Sequence, residues 1–181
     1  MEICFRSSEN SIPFCSDQGN PQAILDKYDS TCGKRNVVII FKYTGIRTEN
    51  SKILLNGSFT VKEDITKDPK LLIRIERCKN KENLDTCEPF HNYRTNSYCT
   101  TANAFAGDFL KSFEPEWKCP LMKVIITFYG VYRATNAEMD ATAFFMFPIE
   151  SWYWKVFVNM LDRDSERILL CAIVEMHLKR V

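Results

Sequence analysis

Eight cysteines, two histidines and a single N-x-S/T triplet are the residues of this 181-residue chain whose type and spacing could carry chemistry. The cysteines are Cys4, Cys15, Cys32, Cys78, Cys87, Cys99, Cys119 and Cys171, and none forms a C-x-x-C pair. With only His91 and His177 beside them they do not compose a zinc set, so no metal is expected. An even count without metal spacing fits four disulfides, which form and persist in oxidising compartments. Cys78 and Cys87 bracket a charged loop over 79–85, and their closeness in sequence favours that pair. Neither histidine has the sequence context of a nucleophile relay, and G-x-S-x-G, P-loop and H-E-x-x-H motifs are absent. Asp162 and Asp164 lie in a charged turn, where carboxylates form turns more often than they serve as general acid and base. The chain therefore reads as non-catalytic and free of a cofactor.

The elements that must position these residues are strands. Over 154–160, Trp154, Val156, Val158 and Met160 alternate onto one face, and over 168–178 Ile168, Leu170, Ala172, Val174, Met176 and Leu178 do the same. The turn LDRDSER joins them, so the C-terminal third predicts a β-hairpin with Cys171, Glu175 and His177 on the opposite face. Further strands are expected over 37–43 (VVIIFKY), 53–61, 71–77 (LLIRIER), 123–132 (KVIITFYGVY) and 143–147 (AFFMF), about seven in all with the hairpin. Over 53–61 the inward set Ile53, Leu55, Phe59 and Val61 puts Asn56, the sequon asparagine, on the outward side with Ser58 and Thr60, where a glycan is sterically allowed. From Cys78 to Cys119 the period of two disappears. Thr100 and Thr101 there can cap one short helix whose apolar positions include Phe105, Phe109 and Phe113. The polar segment 1–31, with Pro13, Gly19 and Pro21, predicts an irregular strap pinned by its cysteines, followed by one domain over 32–181.

Charge excludes some partners. The 24 basic and 23 acidic residues nearly cancel, so no global field draws the chain to nucleic acid. No run approaches a membrane span, and the opening MEICFRSSEN lacks the regions of a signal peptide. Together with the cysteines this points to a secreted, extracellular protein whose signal peptide lies outside this numbering. What remains is a surplus of large apolar side chains. Phe105, Phe109, Phe113 and Trp117 surround the helix, and Phe145, Phe147, Trp152 and Trp154 surround the break at Pro148. An antiparallel β-cup lined only by apolar groups accepts an acyl chain, because each buried methylene stabilises by about 0.8 kcal/mol and needs no polar partner.

The stretches YDSTC, NGSFTVKEDI, FPIESWYWKVFV and RILLCAIVEMHLK carry a resemblance to the ganglioside activator protein, an ML-type lipid-recognition β-cup. They resemble more closely the insect secreted ganglioside-activator-like proteins that include the contact chemosensory proteins. The resemblance runs from about Tyr28 to Val181 and implies a mainly β, antiparallel cup or sandwich with a short helix at its rim. It also implies the disulfides Cys32–Cys171, Cys78–Cys87 and Cys99–Cys119, leaving Cys4–Cys15, with Cys15–Cys171 and Cys4–Cys32 as the competing connectivity. By position it implies that the segment 147–152 forms a rim loop and that Trp154, Val156, Val158 and Met160, facing Leu170 and Val174, line the ligand, with Phe128 from the preceding strand. The implied function is non-catalytic lipid binding and transfer: a fatty acid, phospholipid or other long apolar molecule is held and presented to a membrane, receptor or enzyme, in the specific version during chemosensation. The alternative is a secreted protein-binding module, an accessory to a channel or receptor, with a filled core and no cavity.

Overall fold

The C-terminal hairpin is the centre of the larger of two sheets. The computed structural model describes residues 3–5, 14–16, 21–34, 36–49, 52–119, 121, 130–140 and 152–180, by backbone alone at 3–5, 14–16, 21, 105, 106, 140 and 180. Among these the strands are β1 (Ile3–Phe5), β2 (Phe14–Ser16), β3 (Pro21–Asp29), β4 (Ile39–Glu49), β5 (Lys52–Val61) and β6 (Lys70–Cys78). There follow β7 (Glu88–Thr95), helix α1 (Tyr98–Lys111), β8 (Phe113–Glu114), β9 (Val131–Asp140), β10 (Tyr153–Leu161) and β11 (Ile168–Arg180), with a single 3-10 turn at Leu84–Thr86. The order β3-β11-β10-β6-β7 makes a five-stranded sheet, β4-β5-β9-β8 a four-stranded one, and β1-β2 a separate ribbon. Every pairing is antiparallel. The chain is thus mainly β, with one α-helix among the described residues, as expected from the sequence.

Alternation places the same side chains between the sheets on every strand of the larger one. Trp154 pairs with Met176, Val156 with Val174, Val158 with Ala172 and Met160 with Leu170, as the hairpin pattern requires. On its other side β10 sets Val156 against Ile75 and Val158 against Ile73. Met160, Leu170 and Ala172 then meet Ile39, Val61 and Ala134 of the four-stranded sheet and Ala102 and Leu110 of α1 in one buried cluster. The turn between β10 and β11 is built by Asp162, whose Oδ1 accepts the N–H groups of Asp164 (3.1 Å) and Ser165 (2.9 Å). Lys67–Asp164, Lys70–Glu166 and Arg167–Glu63 ion pairs tie that turn to the start of β6 and the segment before it.

Three elements differ from the sequence expectation. Pro21–Asp29, expected inside the irregular strap over 1–31, is the edge strand β3 of the five-stranded sheet. Its alternation is broken by a bulge: Lys27 faces Glu175 and Leu25 faces Met176, leaving Asp26 unpaired in the ladder. Glu88–Thr95, expected to be without period, is the edge strand β7, largely exposed and held by pairing to β6 rather than by an apolar face of its own. The helix begins at Tyr98 instead of after Thr100-Thr101. Asp68 governs that start, since its carboxylate accepts from Ser97 Oγ (2.6 Å) and from the Cys99 N–H (2.9 Å), satisfying a free donor of the first turn from a distant residue. The strand expected over 143–147 and the first part of that over 123–132 lie outside the described residues.

Three disulfides hold the frame. Cys32–Cys171 ties the turn after β3 to β11, Cys78–Cys87 ties the end of β6 to the approach to β7, and Cys99–Cys119 ties α1 to the segment after β8. This pairing excludes Cys15–Cys171. In the β1-β2 ribbon the backbone register sets Cys4 opposite Cys15. Asp29 shapes the turn leading to Cys32: its Oδ1 accepts the N–H groups of Thr31 (2.8 Å) and Cys32 (3.1 Å). Cys32 and Gly33 there adopt φ of 49° and 70°. No helix among the described residues is long and apolar enough to cross a membrane.

Candidate functional site

The space between the sheets is not evenly filled. Along β11 the inward side chains begin with Leu170 and Ala172, each 7% exposed, and end with Leu178, 5% exposed. Leu170 and Ala172 belong to the large cluster; Leu178 belongs to a second, smaller one with Ala23 and Ile53, against which Ile46 packs. Val174 and Met176, between them on the same strand and the same face, are only half-buried, as are their neighbours Val156, Ile73 and Ile75. From the opposite sheet Tyr43 and Leu55 are half-buried too. Two sheets packed at the usual ~10 Å interdigitate their inner side chains and exclude water. The inward residues of this band are less buried than those of the two packed ends on either side.

One side of this band is the seam between β3 and β4, the free edges of the two sheets. Two hydrogen bonds cross it, from Ala23 N–H to Thr48 Oγ1 (3.0 Å) and from the Tyr28 hydroxyl to the Phe41 carbonyl (3.1 Å). Both strands are bulged there, β3 at Asp26 and β4 at Thr44, which bends each edge locally. A cavity of about 350 Å³ opens between Gln22, Ala23, Ile24 and Leu25 on one strand and Tyr43, Ile46, Arg47 and Thr48 on the other. Leu25 is the register partner of Met176, so this cavity borders the half-buried band directly.

The aromatic residues divide between packing and access. Phe113 and Trp117 are buried in the large cluster together with Met160 and Leu170, and Phe109 is half-buried, edge-on to Phe113 at 5.4 Å. Val158 is half-buried and packs on the same cluster, whereas Val156 and Val174 belong to the band. Trp154 is buried, with the Phe90 ring edge-on at 5.0 Å. Trp152, half-buried, lies under the Arg77 guanidinium at 4.7 Å from its ring centre. Phe105 lies on α1 in backbone only, and Phe128, Phe145 and Phe147 lie outside the described residues. A run of rings leads from the seam across the four-stranded sheet: Tyr28 to Phe41 (5.5 Å), Phe41 to Phe59 (4.4 Å), Phe59 to Trp117 (4.8 Å) and Trp117 to Tyr132 (5.2 Å). Phe59 is legible as an inward position of its strand, and Phe41 only as part of one; the bulge at Asp26 hides Tyr28.

Polar chemistry gathers on the outer face of the larger sheet. Glu175 is buried there, accepts the Tyr153 hydroxyl (3.2 Å) and lies 3.7 Å from both Lys27 and Lys155. Burial, reinforced by the Glu175 charge, holds the Tyr153 phenol above its ordinary range, so it stays neutral and donates. His177 Nδ1 lies 2.5 Å from Asp26 Oδ2, and Lys81 lies 3.7 Å from the other oxygen of that carboxylate. These groups fasten β3, β10 and β11 side by side through one buried, charge-compensated carboxylate and one histidine–carboxylate hydrogen bond. They face away from the apolar band. Among the described residues no group of three or more His, Cys, Asp or Glu side chains is placed to hold a metal. Asn56, the sequon residue, sits at the bulge where β5 meets β9; it is half-buried, and its Oδ1 accepts the Asn136 N–H at 2.7 Å.

In comparisons with known proteins, no protein-family model matches the chain and no curated sequence matches it.

Proposed function

We propose that this protein is a secreted, non-catalytic lipid-binding protein that holds a long apolar chain between its two sheets and presents it to a membrane, receptor or enzyme. The observation that carries this reading is the half-buried apolar band of Val156, Val174, Met176, Ile73 and Ile75 between two packed ends. A methylene chain seated there removes apolar surface from water at about 25 cal/mol per Å² and demands no polar partner. Three disulfides fit an oxidising, extracellular setting. The resemblance of YDSTC, NGSFTVKEDI and the two hairpin strands to the ganglioside-activator-like proteins adds the chemosensory version, in which the lipid is a contact cue. A glycan on Asn56 would be carried by its amide nitrogen Nδ2, which leaves the Oδ1 bond to the Asn136 N–H in place.

Protein secreted from a eukaryotic host should show a co-purifying lipid by native mass spectrometry and should take up a fluorescent fatty acid after delipidation. A bare polypeptide mass with no uptake defeats the proposal. One observation favours the second reading, a protein-binding module: Phe90 is 53% exposed beside Trp152 and Arg77, an aromatic and cationic surface of the kind enriched at interfaces. Its mark would be a band that takes up no lipid together with binding to a receptor or channel ectodomain that Phe90→Ala abolishes.

A further inference from the structure

We infer that the seam between β3 and β4 is the ligand's entrance and head-group site, and that the ligand is a single-chain amphiphile with a carboxylate head; this rests on the lipid-binding reading above. The two hydrogen bonds across the seam fall at its ends. Ala23 to Thr48 closes it beside the small packed cluster, and Tyr28 to Phe41 closes it beside the large one. Between them the edges are bent apart by their bulges, and no ladder joins β3 to β4. The residues of β3 that line the opening, Gln22 to Leu25, pair with Lys179 to Met176, so the opening starts beside the small cluster and reaches the band at Met176, the partner of Leu25.

The chemistry of the lining grades from outside to inside. Arg47 is the one charged residue among those bordering the cavity, and Gln22, Thr48 and Tyr43 add hydrogen-bonding groups. Ala23, Leu25 and Ile46 are apolar members of the lining, and Ala23 and Ile46 pack with the small buried cluster. A guanidinium presents a planar fork of donors that matches a carboxylate, and apolar residues behind it suit the first methylenes of the attached chain. Arg47 Nε is 3.9 Å from Glu49 Oε2, beyond direct hydrogen-bonding distance, and its side chain is 60% exposed, so its donors are accessible to a ligand head. A volume of about 350 Å³ holds a head and the start of a chain, and the remainder would extend along the band.

The test compares cis-parinaric acid with its methyl ester, which shares the chain and lacks the charge, in fluorescence titrations of the delipidated protein. The expected result is that Arg47→Gln weakens the acid by roughly 10-fold or more and leaves the ester within about twofold, the range of one charge-assisted bond. Ile46→Trp, which narrows the seam, should slow association of both probes, with unchanged circular dichroism showing that the fold is intact. If the native protein binds both probes and neither substitution alters binding, the entrance lies elsewhere and this inference falls while the lipid-binding reading stands. If the native protein binds neither probe, the lipid-binding reading itself falls and takes the seam with it.

Discussion

A methyl group added to Gly57 would sit 2.7 Å from Phe41 Cε2 and 2.9 Å from the Lys42 carbonyl oxygen. The glycine of the sequon is therefore where the aromatic wall lies flat on β5, and Gly57→Ala should cost about 1–3 kcal/mol by overpacking. Urea unfolding would measure this, and the N-x-S acceptor pattern survives the change, so the loss would not come from a missing glycan. Asp29 and Asp162 give the chain an acid limb. Backbone N–H groups, of Thr31 on Asp29 and of Ser165 on Asp162, hold both carboxyls below their ordinary range. A folded-state value below the unfolded one means that the stability these groups contribute is present above the unfolded value of about 3.9 and is lost as pH falls through the depressed one. Denaturant midpoints should drop from about pH 5 downward. Asp29→Ala should lower the midpoint at neutral pH, flatten the acid limb and converge on the native protein at the acid end.

Which strands were legible depended on whether their alternation reached the ladder unbroken. β10 and β11 alternate without interruption from Trp154 to Met160 and from Leu170 to Leu178, and their pairing follows from that pattern. β3 carries the same signal in Ala23, Leu25 and Tyr28, but the Asp26 bulge shifts its phase. β7 has almost no apolar face; the Cys78–Cys87 bridge was legible from its short separation, but the pairing with β6 that makes the strand is not written in local sequence. The bridges themselves should rank by the loop each closes. Their sequence separations are 139 for Cys32–Cys171, 20 for Cys99–Cys119 and 9 for Cys78–Cys87. Chain-entropy reasoning puts paired Cys→Ser losses at about 2–5 kcal/mol, largest for Cys32–Cys171 and smallest for Cys78–Cys87. Equilibrium unfolding of the three double variants checks the order; a reversed order would mean that native-state contacts, not loop closure, set each bridge's contribution.

Across the whole molecule, β11 offers a controlled comparison, because Ala172 and Val174 are two residues apart on one face, one in the packed cluster and one in the open band. Ala172→Phe should overpack and cost about 1–3 kcal/mol. Val174→Phe should leave stability within about 1 kcal/mol, since the added ring enters space that is not filled, and should reduce uptake of cis-parinaric acid. Thermal unfolding and fluorescence titration of the two variants read the difference. Equal destabilisation by both would mean that the band is closed in solution, as the protein-binding reading requires.

By itself the sequence determined the mainly β character, the inward set of the terminal hairpin and the closeness of Cys78 to Cys87, because side-chain alternation and short separation are local properties. It also marked Phe59 as inward. The tertiary structure decided what those inward residues meet. Leu170, Ala172, Val174 and Met176 are equivalent in the alternating pattern, yet the first two are sealed and the last two are not, because burial depends on how closely the opposite sheet approaches. The seam is likewise a product of two consecutive strands that enter different sheets as edges, so Arg47, an ordinary exposed cation in the sequence, stands at a cavity that borders the band.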